Sequence, residues 1–135
     1  MKLKFQTYDT VIMQSIIFGQ GFFRKGTTIS EIIECGDAFD KSIIEYKQLK
    51  EVLPKFLTSG MIEIKNDRIF LTKKYRQTRK KHKNEIKKIK IETDKIAIIF
   101  NELENGKYDD LKKIPKDFLT ELKWEVAYKN YMKKY

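Results

Sequence analysis

Thr28-Ile-Ser-Glu-Ile-Ile33, Leu49-Lys-Glu-Val-Leu-Pro-Lys-Phe-Leu57-Thr-Ser-Gly60-Met-Ile-Glu-Ile64 and Arg68-Ile-Phe-Leu-Thr72 are pieces of the one stretch that decides how this chain folds. The first piece opens a helix. The Thr28 hydroxyl can accept from the backbone N–H of Glu31 while the Glu31 carboxylate reaches back to Thr28, a capping box. Ile29, Ile32 and Ile33 give that helix a buried stripe. In the second piece Leu49, Leu53, Phe56 and Leu57, with Tyr46, fall on one side at about 100° per residue. Gly60 fits a left-handed stop, and Met61 or Ile62 fits the apolar contact that follows it. Two short alternating segments, Met61–Ile64 and Arg68–Thr72, joined by Lys65-Asn66-Asp67, predict a hairpin.

Working outward toward the N-terminus, Asp9 or Thr10 can cap a first helix carrying Val11, Ile12, Ser15, Ile16 and Phe18, with Gly19 as its stop. Gly19-Gln20-Gly21 is a loop signal, because no strand leads into it and no helix opens directly behind it. Phe22 and Phe23 are expected in the core beside a short connecting strand. Gly36-Asp37-Ala38-Phe39-Asp40 either ends the second helix or bends it. The third helix starts at Ser42, where Ser42-Ile-Ile-Glu45 could form a capping box, or nearer Glu45. Its outward face carries Lys47, Glu51, Pro54 and Thr58, flanked by Lys50 and Lys55. Pro54 removes one backbone bond, at roughly 3 kcal/mol unless packing compensates.

Beyond Thr72 the composition changes. The chain has 135 residues and a net charge of +10, but residues 1–72 and 91–135 are close to neutral. The excess sits in residues 73–90, where Lys73, Lys74, Arg76, Arg79, Lys80, Lys81, Lys83, Lys87, Lys88 and Lys90 face Glu85 alone. Such a block attracts polyanions. Ile86, Ile89, Thr93, Ile96, Phe100 and Leu103 then recur at alternating spacings of three and four, a heptad seam one repeat short of a full coiled-coil signal. Asn105-Gly106 ends it. Pro115 suits the first turn of a last helix whose apolar positions are Phe118, Leu119, Leu122, Val126, Tyr128 and Tyr131. This divides the chain into residues 1–76 and a basic helix plus helical extension over 77–135.

The order of elements, with Thr28-Ile-Ser-Glu-Ile-Ile33, Leu49 to Ile62 and Phe70-Leu-Thr72, resembles winged helix-turn-helix DNA-binding domains of the bacterial regulator kind, over roughly residues 7 to 76. The chain also resembles small bacterial proteins of that fold in which a Gly-Asp-Ala stretch like Gly36-Asp37-Ala38 precedes the third helix. The resemblance implies a DNA-binding regulator with the third helix as recognition helix. Two features depart from that pattern. Glu51 and Pro54 stand at the centre of the face that should enter the groove, where a carboxylate repels phosphates, although it can accept from cytosine.

The fold class expected is therefore mainly α (α+β): a winged helix-turn-helix with a small β-hairpin wing, followed by C-terminal helices. The expected function is double-stranded DNA binding as a small transcriptional regulator. Expected DNA contacts are Lys47, Lys50 and Lys55 on the third helix, Lys65 and Arg68 on the wing, and Lys73, Lys74, Arg76, Arg79, Lys80 and Lys83 in the basic segment. Phosphate contacts would supply most of the affinity. Ile86, Ile89, Ile96, Phe100 and Leu103 are expected either as a homodimer interface or as packing on the same chain's winged helix. The rival readings are a protein-interaction winged helix with an acidic partner, and RNA binding.

Enzyme readings find little support. His82 is the one histidine, set among Lys80, Lys81 and Lys83, with no nucleophile or carboxylate partner evident nearby. One cysteine and one histidine make no zinc constellation, and no cofactor motif is present. Asp37 with Asp40, and Asp109 with Asp110, read as turn and capping residues. Cys35 reads as a small buried apolar residue or as a redox-sensing thiol. A lone cysteine and the lack of a signal-peptide core or a long apolar run point to a reducing, cytoplasmic compartment.

Overall fold

The computed structural model describes residues 1–21 and 24–134. Phe22, Phe23 and Tyr135 fall outside the described residues, and so does the expectation that Phe22 and Phe23 fill the core. The chain is mainly helical with one small antiparallel hairpin.

Helix α1 (Thr7–Gly19) starts earlier than the sequence predicts. Its cap is Gln6, and Asp9 serves as the third helical residue, accepting from the Gln6 backbone N–H at 2.8 Å. Helix α2 (Ile29–Asp40) opens on Thr28 as predicted, with both halves of the capping box formed. It continues through Gly36 and ends at Lys41, whose φ of 52° is left-handed. A Cβ on Gly36 would stand 2.6 Å from Ile44 Cδ1, so the bare glycine lets Ile44 reach the core. Helix α3 (Tyr46–Thr58) takes the later of the two possible starts. Gln48 Oε1 accepts from the Glu45 N–H at 2.8 Å, whereas Ser42 is bonded to Tyr8 and Asp40 instead.

The end of α3 follows from Gly60. At φ 79° it lets the Gly60 N–H reach the Leu57 carbonyl and the Met61 N–H reach the Phe56 carbonyl, both at 3.1 Å. These are the two bonds of a Schellman stop. Pro54 lies inside α3. The carbonyl its missing N–H would have met belongs to Lys50, an exposed residue, so solvent can satisfy it.

Strands β1 (Ile62–Lys65) and β2 (Arg68–Leu71) pair with Ile62 opposite Leu71 and Lys65 opposite Arg68. Asn66 and Asp67 both have positive φ, as a two-residue hairpin turn that follows the strand twist requires. Thr27 adds a single bridge to Ile69. The loop signal at Gly19-Gln20-Gly21 carries more than a turn. Gln20 is buried, and its side-chain amide donates to Thr27 Oγ1, the Ile69 carbonyl and the Ile16 carbonyl at 2.6, 2.8 and 3.1 Å. That one amide joins the end of α1 to the sheet.

Helices α4 (Lys73–Lys81), α5 (Lys83–Ile86), α6 (Glu92–Glu104) and α7 (Glu121–Lys134) complete the chain. The division at residue 76 falls inside α4, and one apolar cluster runs from Ile12 through Phe56 and Phe100 to Tyr131. Pro115 does not open the last helix. It sits in a turn closed by the Phe118 N–H on the Pro115 carbonyl, and the left-handed Asp117 (φ 67°) breaks helical continuity there. Helix α7 begins after Thr120, whose hydroxyl accepts from the Lys123 N–H at 3.1 Å. Among the described residues no helix is long and apolar enough to cross a membrane.

Candidate nucleic-acid interface

The basic segment folds as α4 and α5, and the packing sorts its cations into two sets. The inner set is neutralised. Arg79 turns inward and grips Glu92 at the start of α6 through two bonds, at 2.7 and 3.2 Å, with a third to the Tyr75 hydroxyl at 3.1 Å. Burial acts to lower the pKa of its guanidinium, but the bonds to Glu92 and Tyr75 outweigh burial and hold it above the ordinary value. Lys81 lies 2.7 Å from Glu102. His82 Nε2 meets the same carboxylate at 2.9 Å, and its Nδ1 lies 3.5 Å from Glu85. His82 therefore has the carboxylate partners its sequence neighbourhood did not reveal, because Glu102 arrives from α6.

The outer set faces solvent. Lys73, Arg76, Lys80, Lys83 and Lys87 recur at spacings of three and four along one side of α4–α5, and all are exposed. Among the described residues none of them is ion-paired with a carboxylate. The Arg76 guanidinium donates through Nη1 to the Leu71 carbonyl at 3.1 Å, which holds its head at the base of α4. Between the two short helices lies a shallow groove of about 560 Å³, floored by Tyr75 and Ile86 and rimmed by Arg76, Arg79, Lys80, Lys83 and Lys87. No acid lines it. Tyr75 is 3% exposed, so it offers no ring face on which a base could stack.

The other expected contacts are dispersed. On α3, Lys47 and Lys50 are exposed, with Lys50 lying over the Tyr46 ring at 5.9 Å. Lys55 is held by Asp9 of α1 at 3.0 Å and is not a free cation. Lys65 lies 3.5 Å from Glu63 on its own strand. Arg68 folds back on the Gly26 carbonyl at 3.3 Å with Glu31 at 3.8 Å. Lys74 points away from the outer stripe, over the Tyr108 ring at 6.0 Å. Of the residues singled out in sequence, Lys73, Arg76, Lys80 and Lys83 thus form one surface, to which the structure adds Lys87. Arg79 borders the same groove but is paired with Glu92, and Lys55, on α3, is paired with Asp9.

No family model, curated protein or solved structure matches this chain.

The heptad seam is not a continuous helix. Helix α5 ends at Ile86, and the chain becomes helical again only at Glu92, where Glu92 and Asp94 complement the new helix start. Ile86, Ile96, Phe100 and Leu103 are buried in the chain's own core, and Ile89 is half-buried. Phe100 stacks on Phe5 with ring centroids 4.3 Å apart and lies 5.8 Å from Phe56 of α3. The stripe is filled from within the same chain.

Cys35 is half-buried, and burial, Glu34 and Glu31 all raise its thiol pKa. That is the opposite of the depressed value a redox-sensing thiol needs.

Proposed function

We propose that this protein is a small DNA-binding regulator of the winged-helix kind, gripping double-stranded DNA by its phosphates. The observation that carries the reading is the outer stripe of α4–α5: Lys73, Arg76, Lys80, Lys83 and Lys87, all exposed, the last four rimming a groove that no acid lines. A helix face with cations at this spacing follows a sugar–phosphate backbone without needing to read bases. The buried ring of Tyr75 favours a duplex over a single strand, since strand binders need exposed aromatic faces. The order α2, α3, hairpin supports the winged-helix part, with the hairpin as wing and α3 as recognition helix. In that role Lys47 is its main free cation and Glu51 opposes it.

The test is the salt dependence of duplex binding, read by fluorescence anisotropy. Engagement of five phosphates gives a slope of log K against log[salt] near ~−4.5. Replacing Lys73, Arg76, Lys80 and Lys83 together by glutamine should flatten that slope to near ~−1. An unchanged slope moves the phosphate site elsewhere. An absence of duplex binding at low salt removes the reading.

A further inference from the structure

The C-terminal arm, residues 111–134, is fastened to α2, where the Tyr131 hydroxyl donates to Asp37 and Lys134 lies beside Glu34, and also to α3 and the hairpin. At the far end of α3 the Lys112 N–H donates to Thr58 Oγ1 at 2.7 Å. At the other end the Trp124 indole N–H donates to the Ile44 carbonyl, just before α3, at 3.0 Å. At the hairpin turn Lys123 lies 3.7 Å from Asp67. Phe118 is buried between these points, beside Thr28, Ile29 and Asp67. The outward residue Thr58 of α3 is half-covered where Lys112 meets it, while Lys47, Lys50 and Glu51 stay exposed.

A duplex that took α3 into its major groove and the hairpin against its backbone would need the surface at both ends of α3 and at the hairpin tip. A groove about 12 Å wide admits a helix, but not a helix with a second segment lying across it. The arm touches all three places. We propose that the arm is a removable cover: closed, it limits the protein to backbone contact through the α4–α5 stripe, and released, it frees α3 and the hairpin to select sequence. This inference rests on the duplex-binding reading.

The way the arm is held suits release. Residues 105–120, which lead into it, contain no helix or strand, and a connection of that length lets α7 move without disturbing α6. Its ion pairs, Lys123 with Asp67 and Lys134 with Glu34, lie at the surface, where such pairs contribute little. Its apolar hold consists of Phe118, Ala127 and Tyr131 in the core, with Ile114, Leu119, Trp124 and Tyr128 partly buried against it. Leu122, 69% exposed, and Val126, 50% exposed, stand one turn apart along an open cleft that α7 shares with Thr28, Ile29 and Asp67. The fraction of time the arm is open then scales the affinity for a selected sequence.

Two variants of the full chain test this. Lys112 sits one hydrogen bond from the Thr58 side chain, within the span a disulfide bridges, so Thr58→Cys with Lys112→Cys in a Cys35→Ser background locks the arm when oxidised. Lys123→Glu with Trp124→Ala sets a carboxylate against Asp67 and removes the indole bond, which opens it. Faster hydrogen exchange confined to α7 reports the opening, and circular dichroism reports that the remaining helices persist. A duplex library with a randomised window is selected against the opened protein. The opened protein should then prefer the selected duplex over a scrambled one by about tenfold or more, the discrimination that reading one or two base pairs provides. The oxidised lock should bind both duplexes alike, with its salt slope intact. Equal preference in the opened and locked proteins, or no preference in an opened protein whose α7 exchanges fast, overturns the cover. Loss of binding to every duplex in all forms instead overturns the duplex reading beneath it.

Discussion

Arg79 and Glu92 are thirteen residues apart in sequence and joined by two charge-assisted bonds, at 2.7 and 3.2 Å, that tie α4 to the start of α6. The pair is mostly shielded from solvent, so it acts as a structural clamp. Arg79→Ala should lower the unfolding free energy in a urea titration by about 1.5–3 kcal/mol, the range for hydrogen bonds to charged groups. Lys80→Ala, one residue on, should leave stability within about 0.5 kcal/mol and reduce duplex affinity instead. A stable Arg79→Ala protein with weakened DNA binding would mean that the guanidinium leaves Glu92 for a phosphate.

Gln20 provides a second test of the interior. Its amide serves Thr27 Oγ1 and the carbonyls of Ile69 and Ile16 from a buried position. Gln20→Leu removes that donor, while the Ile69 carbonyl keeps the Thr27 N–H and the Ile16 carbonyl keeps the Thr27 hydroxyl, so the cost is that of lost bonds, about 0.5–1.5 kcal/mol each. Thermal unfolding should register the loss, and exchange of the Thr27 and Ile69 amides should quicken. A melting temperature equal to that of the parent protein would show that the bridge holds without the amide.

Glu102 predicts a pH dependence. Its bond to Lys81 first, and to His82 second, holds the Glu102 carboxyl below the usual carboxylate range. The folded-state pKa is lower than the unfolded one, so the stability it lends is fully present above the ordinary value of 4.5. That contribution is lost as pH falls through the folded value. Glu102→Gln should therefore be less stable than the parent protein at neutral pH, and the two should converge as the solution is acidified. Parallel acid unfolding curves would refute the assignment.

Cys35 should react slowly. With its thiol pKa raised by burial and by Glu34 and Glu31, little thiolate exists near neutral pH. Alkylation by iodoacetamide at pH 7.5 is expected to be several-fold slower than for a free cysteine, rising to the free rate in denaturant. A native rate matching the denatured one would reopen a redox role.

The sequence was legible where a structural decision depends on residues within about four positions. Thr28 with Glu31, Gly60 with Phe56 and Leu57, and Asn66 with Asp67 all act on their own backbone neighbourhood, and each forms as its residues predict. What was not legible depends on distant partners. Asp9 disarms Lys55 across forty-six residues, Gln20 reaches Ile69 across forty-nine, and Glu102 meets His82 across twenty. The seam from Ile86 to Leu103 misled for another reason. A repeat of three and four is the mark of a helix buried on one side, and it does not say whether the covering surface comes from a second copy or from Phe5 and Phe56 of the same chain. Of the candidate surface, the sequence located the charge but could not separate Arg79 from Lys80, because that distinction is made by the direction each side chain leaves α4.

The outer stripe also sets opposite responses to ionic strength. Cations three and four apart on a helix repel one another by a few tenths of a kcal/mol per pair, and Lys73, Arg76, Lys80, Lys83 and Lys87 place four such pairs in succession. Without a polyanion, α4 and α5 are self-repelling, and added salt should screen that repulsion and raise the melting temperature. On the duplex binding proposed above, the same salt would weaken the complex. The dilute buffer in which the protein alone is least comfortable would then be the one in which a duplex is held most tightly.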